Sequence, residues 1–151
     1  MKKIQIFLFC IIASQFFLGC KKTNIPEGNY TFVWTVTTTD SVIYNSCERN
    51  NLYLEVIESN KDFIVFATND TLYKEGQTVF GTFKGVGATM CHGHNIFFGQ
   101  KQLSGTCRKE KGKHIISGEI KTIVYGPKEI DHNVVWDTVD AVGTFEMKSS
   151  F

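Results

Sequence analysis

The stretch "YTFVWTV", residues 30–36, decides the fold, because large apolar side chains alternate in it with threonine and valine. Successive side chains of a β-strand point to opposite faces of the sheet. Tyr30, Phe32, Trp34 and Val36 therefore share one face. The pattern predicts a strand that turns an unusually large apolar face toward a core.

The same alternation continues through most of the chain that follows. Further predicted strands are "LYLEVIE" (52–58), "DFIVFAT" (62–68), "TLYK" (71–74), "QTVFGTFK" (77–84), "ATMCHGHNIFF" (88–98), "QLSGTCRKE" (102–110), "KHIISGEIKTIVY" (113–125) and "AVGTFEMKS" (141–149). Short Gly- or Asn-containing turns are predicted at 59–60, 69–70, 75–76, 85–87, 99–100 and 111–112. Two longer connections remain, 40–51 and 126–140, and the second has room for one more strand at "NVVWDTV".

The predicted fold is all-β: a single antiparallel up-and-down β-barrel of eight to nine strands over residues 28–151. A meander of this length must hide its edge strands, and closure into a barrel does so. Gly81, Gly105, Gly118 and Gly143 fall inside strands, where glycine fits the bends of a barrel. The alternative is a β-sandwich, whose crossing connections only the two long loops could supply.

The N-terminus predicts export and a lipid anchor. Basic residues Lys2 and Lys3 precede an apolar run, residues 4–19, that is too short for a comfortable membrane span. The run ends in Leu18-Gly19-Cys20, which resembles the lipobox of bacterial lipoproteins, although Phe17 departs from its usual aliphatic residue. The resemblance implies that residues 1–19 are a signal peptide, that Cys20 is lipidated and that residues 20–27 form a tether. An uncleaved anchor or an ordinary secreted protein is the alternative.

In lipoproteins of this kind an aspartate after the cysteine favours retention in the inner membrane. Lys21 occupies that position here. The expected location is therefore the cell envelope, lipid-anchored to the outer membrane and facing the periplasm.

Composition and motifs argue against nucleic-acid binding and against catalysis. The net charge is +1 and no basic patch is visible. The chain has no Gly-x-Ser-x-Gly, His-Glu-x-x-His or phosphate-binding loop. Carboxylates pair at 129/131 and 137/140 beside His132, where a solvated loop explains them. We therefore predict a non-enzymatic protein without a cofactor.

Three cysteines remain after export and lipidation: Cys47, Cys91 and Cys107. An oxidising compartment favours one disulfide and one leftover thiol. If a hairpin turned near Gly99, Cys91 would lie opposite Cys107 within bridging range. A Cys47–Cys91 bridge and three free thiols are the alternatives.

The stretch "CHGH", residues 91–94, raises the question of a metal site. His92 and His94 would share one face of a strand, and His114 could add a third ligand. Zinc sites need three or four convergent ligands, and no acidic partner is near in sequence. We predict no metal site and regard these histidines as weak candidates only.

The two ends of the predicted barrel resemble the lipocalin superfamily. Gly28-Asn29-Tyr30 in "PEGNYTFVW" is similar to the Gly-x-Trp start of lipocalins, with Tyr in place of Trp. The closing "GTFEMKS" (143–149) is similar to the last strand of bacterial lipocalin-like lipoproteins. The resemblance implies an eight-stranded cup that holds a small lipophilic molecule.

Two functions follow as hypotheses. The first is a membrane-anchored lipocalin-like protein that binds a small hydrophobic ligand. Its expected lining is Phe32, Trp34, Leu54, Phe83, Ile120 and Phe145. The second is a ligand-free structural or inhibitory envelope lipoprotein that binds a protein partner through loops 40–51 and 126–140.

Overall fold

The structure is a computed structural model that describes residues 24–38, 47–84, 87–91 and 94–151. Side chains are described for residues 24–37, 52–84, 96–127 and 131–151. The strands are β1 (Gly28–Thr38), β2 (Cys47–Ser59), β3 (Phe63–Phe66), β4 (Thr71–Glu75), β5 (Thr78–Phe83), β6 (Gly87–Cys91), β7 (His94–Glu110), β8 (Lys113–Ile130) and β9 (Asn133–Ser149). Within the described ranges there is no helix with the length and apolar character needed to cross a bilayer.

Eight antiparallel strands close into one ring. The order β5-β4-β3-β2-β1-β9-β8-β7 is joined end to end by pairing between β5 and β7. β6 lies outside the ring and continues along the edge of β7 beyond β5, since Phe83 pairs with Lys101 and Gly87 with Phe98. The predicted single up-and-down barrel is confirmed, and the closing pair excludes the β-sandwich.

Most of the predicted turns connect adjacent strands as expected. Gly76 and Gly112 have φ angles of 66° and 85°, and Asn69 and Lys111 have φ angles of 62° and 48°. These left-handed conformations are the ones that tight hairpin turns require.

The predicted turn at Gly99 is wrong. Gly99 lies inside β7, at a register shift between Phe98 and Lys101 in the pairing with β8. The hairpin instead turns between Cys91 and His94, which pair with each other. A glycine inside a strand marks an irregular or bent ladder as readily as a turn, and that is its role here.

The predicted long connection at residues 126–140 is wrong, although the further strand suggested within it at "NVVWDTV" is present as the start of β9. β8 continues to Ile130 and β9 begins at Asn133, and these two residues pair. The turn consists of Asp131 and His132 alone, with φ angles of 50° and 62°. Aspartate and histidine enter the left-handed region more readily than most residues, which permits this two-residue turn. We call the paired residues 126–140 the β8–β9 arm.

Glycines allow neighbouring strands to approach closely in the barrel wall. A Cβ on Gly143 would lie 1.8 Å from the Thr35 carbonyl oxygen, and one on Gly118 would lie 2.1 Å from the Ser104 carbonyl oxygen. Gly105 and Gly81 show similar approaches of 2.3 Å and 2.4 Å to backbone oxygens. Glycine at these positions is thus required by the close approach of the neighbouring backbone, whereas the predicted bends at these glycines stay a prediction.

The barrel has one end that the chain itself covers. Ile25 is buried there, and the Tyr30 hydroxyl donates a hydrogen bond of 2.9 Å to the Pro26 carbonyl. The Phe151 ring packs edge-on against Tyr30 with centroids 6.1 Å apart. We call this the closed end. β8 runs away from it, so the β8–β9 arm lies at the opposite end.

Candidate functional site

The six side chains predicted to line a ligand cavity all lie in the core of the barrel. None is more than 5% exposed. Phe32 packs against Phe83 and Phe145, in both cases with centroids 6.1 Å apart. The Trp34 ring meets Phe98 edge-on at 4.6 Å. At these residues, aromatic rings fill the interior by contact with one another.

One interior region, near the arm, carries polar donors among these rings. The indole Nε1 of Trp34 is buried and has no hydrogen-bond partner. The Lys101 ammonium is buried 5.8 Å from the centroid of the Trp34 ring, and its Nζ donates to the Gly99 carbonyl at 3.4 Å. Buried polar atoms are nearly always paired, so the Trp34 N–H is an exception that calls for an explanation.

The interior near the closed end contains a thiol. Burial raises the pKa of Cys107 to about 11, while the Lys74 charge acts in the opposite direction. Burial also raises the pKa of Tyr30, with a smaller contribution from Cys107. Because the thiolate is the reactive form, Cys107 is chemically quiet at neutral pH.

The predicted Cys91–Cys107 disulfide is wrong in this structure, where Cys107 is a free, buried cysteine. The pairing assumed a turn at Gly99, whereas Cys91 pairs with His94 at the far tip of the hairpin. Thirteen residues of β7 separate His94 from Cys107, which is about 40 Å at roughly 3.3 Å per residue. The backbone of Cys47 pairs with Val36, and the side chains of Cys47 and Cys91 lie outside those described.

Two of the weak histidine candidates, His94 and His114, lie far apart in the described backbone. His92 lies outside the described residues, and His94 begins β7 at its hairpin tip. His114 pairs with Lys109 near the other end of the same strand. Burial lowers the pKa of His114, and the charge of Lys109 lowers it further. The described part of the chain contains no cluster of three potential metal ligands.

The outer surface has a depression of about 500 Å³ across β5, β7 and β8. Polar side chains form most of its wall, and two of them, Glu119 and Lys121, pair with each other at 3.0 Å. Ser104 and Glu119 lie opposite each other in its wall, where β7 pairs with β8.

Three aromatic rings lie together on the outer face of the barrel, one each from β7, β8 and β9. Tyr125 and Trp136 have centroids 5.2 Å apart, and Phe97 lies 6.3 Å from each of them. All three are between 41% and 50% exposed. We call Phe97, Tyr125 and Trp136 the aromatic cluster.

Apolar side chains extend this surface along the β8–β9 arm. Ile123 precedes Tyr125 on the same face of β8 and is exposed, and Val134 precedes Trp136 in the same way on β9. Large exposed apolar patches on soluble proteins commonly mark interaction sites.

The sequence reasoning missed this cluster because it ended the preceding strand at Tyr125 and, although it allowed a strand at "NVVWDTV", did not pair the two. The signal was present in "NVVWDTV", where Val134, Trp136 and Thr138 alternate with Val135 and Asp137 in strand phase. The turn itself, Asp131–His132, contains neither glycine nor asparagine, the residues from which the other turns were predicted.

No protein-family model matches the chain, and no curated protein or solved structure is found to match it. The class of this protein is therefore defined by its fold only. It is a small, closed, antiparallel eight-stranded β-barrel with an added hairpin strand.

Proposed function

We propose that this protein is a non-enzymatic, lipid-anchored lipoprotein of the cell envelope, with a lipocalin-like barrel that binds a protein partner through the β8–β9 arm. The filled interior supports a structural role for the barrel, since rings occupy the positions expected to line a cavity. The exposed aromatic cluster is the observation that carries the proposal.

Exposure of three contacting rings is costly for an isolated protein. Aromatic side chains bury large apolar areas and contribute much of the energy of protein interfaces. Phe97, Tyr125 and Trp136 instead remain 41–50% exposed next to Ile123 and Val134. A partner that covered this face would gain the burial that the barrel itself does not provide.

The position of the arm supports a partner away from the membrane. The tether proposed for residues 20–27 leads into the closed end, where Ile25 is buried. Lys113 and Tyr125 are separated by twelve residues of β8, about 40 Å along the strand. Barrel strands tilt by about 35–45°, so the aromatic cluster stands roughly 30 Å from the closed end.

Site-specific photo-crosslinking in the native cell tests the partner. A benzoylphenylalanine at Thr138, which pairs with Tyr125 beside the cluster, should give one discrete crosslinked band. The same amino acid at Tyr53, exposed on β2, is the matched control and should give none. Equal crosslinking from both positions, or none from Thr138, would contradict the proposal.

The anchor has its own test. Radiolabelled palmitate should label the wild-type protein, and Cys20→Ala should abolish labelling because Cys20 is the proposed acceptor. Labelling that survives in Cys20→Ala refutes the lipoprotein assignment.

A small hydrophobic ligand inside the barrel is the second candidate function. The unpartnered Trp34 Nε1 favours it, because a ligand with an acceptor group could satisfy this buried donor. In Trp136→Phe protein, Trp34 is the only tryptophan and can report binding of N-phenyl-1-naphthylamine. Saturable quenching of Trp34 supports a ligand-binding barrel, whereas unchanged emission over the titration contradicts it.

A further inference from the structure

The stretch that carries Tyr125 and Trp136, residues 123–140, is acidic in sequence. Residues 123–140 contain four carboxylates, Glu129, Asp131, Asp137 and Asp140, and a single lysine, Lys128, with no arginine. Asp140 pairs with Ile123 and is exposed on the face of β9 that carries Trp136. Aromatic rings and carboxylates are thus presented together.

We propose that the partner places a basic segment, with arginine or lysine side chains, on the aromatic cluster. This inference rests on the proposed function and adds the chemistry of the partner. A cation over the face of Trp, Tyr or Phe is attracted by the ring quadrupole, and Trp binds it best. Arginine also stacks its planar guanidinium on aromatic rings.

The ring geometry suits this ligand. The planes of the three rings are tilted by 38–41° from one another, so none of the three pairs is edge-to-face. An arginine stacked on Trp136 would lie on the same sheet face as the Asp140 carboxylate. Four residues of β9 separate Trp136 from Asp140, about 13 Å, so a segment with two cationic side chains would place one on the ring face and the other near the carboxylate.

The same charges disfavour the other occupants. A second copy would bring an equally acidic arm against this one, and like charges across an interface are repulsive. An anionic membrane surface would be repelled for the same reason. Lys121, on the same face of β8 as Tyr125, is already paired with Glu119 at 3.0 Å.

Peptide binding tests the inference on the mature full-length protein in a non-ionic detergent. The probe is a fluorescein-labelled Arg-Gly repeat peptide, followed by anisotropy. The comparison peptide carries glutamine at every arginine position. Saturable binding of the arginine peptide alone is expected, and it should weaken as the salt concentration rises.

Variants localise the binding. Trp136→Ala should weaken the arginine peptide about fivefold, and Asp140→Asn about threefold. Tyr73→Ala removes a ring that is 55% exposed elsewhere on the barrel, and Asp62→Asn removes another exposed carboxylate. These two controls should leave the affinity unchanged.

Three results would overturn the inference: equal binding of the glutamine peptide, equal weakening by Tyr73→Ala, or a dimer that Trp136→Ala dissociates in sedimentation. Crosslinking from Thr138 separates the two levels of the proposal. If the crosslink forms and excess arginine peptide does not compete with it, the proposed binding of a protein partner is supported and the inference that this partner is basic is contradicted. If no crosslink forms, the proposed function itself fails.

Discussion

The two tryptophans of this chain occupy opposite environments. Trp34 is 1% exposed, inside the barrel, and meets Phe98 edge-on at 4.6 Å. Trp136 is 50% exposed on the arm, in contact with Tyr125 and Phe97. Both residues belong to aromatic groups in strands, yet only the first group is covered by the fold. The difference separates the side chains that hold the barrel together from those that remain available to another molecule.

The largest effect is expected from removing the interior tryptophan. Trp34→Ala should lower the free energy of unfolding by about 3 to 5 kcal/mol, because it leaves a cavity among well-packed rings. Urea unfolding followed by circular dichroism measures the change. A loss below about 1 kcal/mol would show that the interior around Trp34 is not tightly packed.

The close approach of strands gives the next largest effect. Gly143→Ala should cost about 2 to 4 kcal/mol, since its Cβ would lie 1.8 Å from the backbone oxygen of Thr35. Gly99→Ala is the control, because its Cβ would meet nothing closer than 3.6 Å. Thermal unfolding of both variants should show a large difference, and equal melting temperatures would contradict the described strand contact.

Burial of Cys107 predicts a pH dependence of the free energy of unfolding. The thiol keeps its proton up to about pH 11 in the folded state, against an ordinary pKa of 9.0. Between these values the unfolded chain binds fewer protons, so stability falls as pH rises from about 9 to about 11. The expected loss is about 2 to 3 kcal/mol at 1.36 kcal/mol for each pKa unit.

The thiol measurement uses protein in which Cys20, Cys47 and Cys91 are serine. Adding Cys107→Ala should flatten the decline and leave only the contribution of Tyr30, whose pKa is also raised by burial. An unchanged decline in this variant would assign the effect to other groups.

The smallest effect on stability is expected outside the barrel. Trp136→Ala should change the free energy of unfolding by about 1 kcal/mol or less, because its half-exposed ring loses little burial. Acrylamide should quench Trp136 strongly in Trp34→Phe protein and Trp34 weakly in Trp136→Phe protein. Similar quenching of Trp34 and Trp136 would contradict the difference in exposure between the two side chains.

Much of the barrel could be predicted from the sequence because its physical signal is local. Alternation places Tyr30, Phe32 and Trp34 on one face, and the structure buries all three. The interior positions of Gly118 and Gly143 were also readable, since only a residue without a Cβ permits such close strands.

The errors arose where one residue type has two structural meanings. Gly99 permits a register shift as well as a turn. It lies inside β7, and Cys91 pairs with His94 and not with Cys107. Asp131 and His132 form a tight turn in charged sequence that otherwise resembles a loop. The aromatic cluster depends on the register between β7, β8 and β9, which no single strand contains.

Neighbouring residues on β7 provide the most direct measurement of the central claim, which is that the interior stabilises and the outer cluster binds. Phe98 is fully buried against Trp34, whereas Phe97 is 41% exposed in the aromatic cluster. Phe98→Ala should lower the free energy of unfolding by about 3 to 5 kcal/mol. Phe97→Ala should lower it by about 1 kcal/mol or less and abolish the crosslink formed from Thr138. A Phe97→Ala protein that unfolds as easily as Phe98→Ala, or that keeps the full crosslink, would contradict the account.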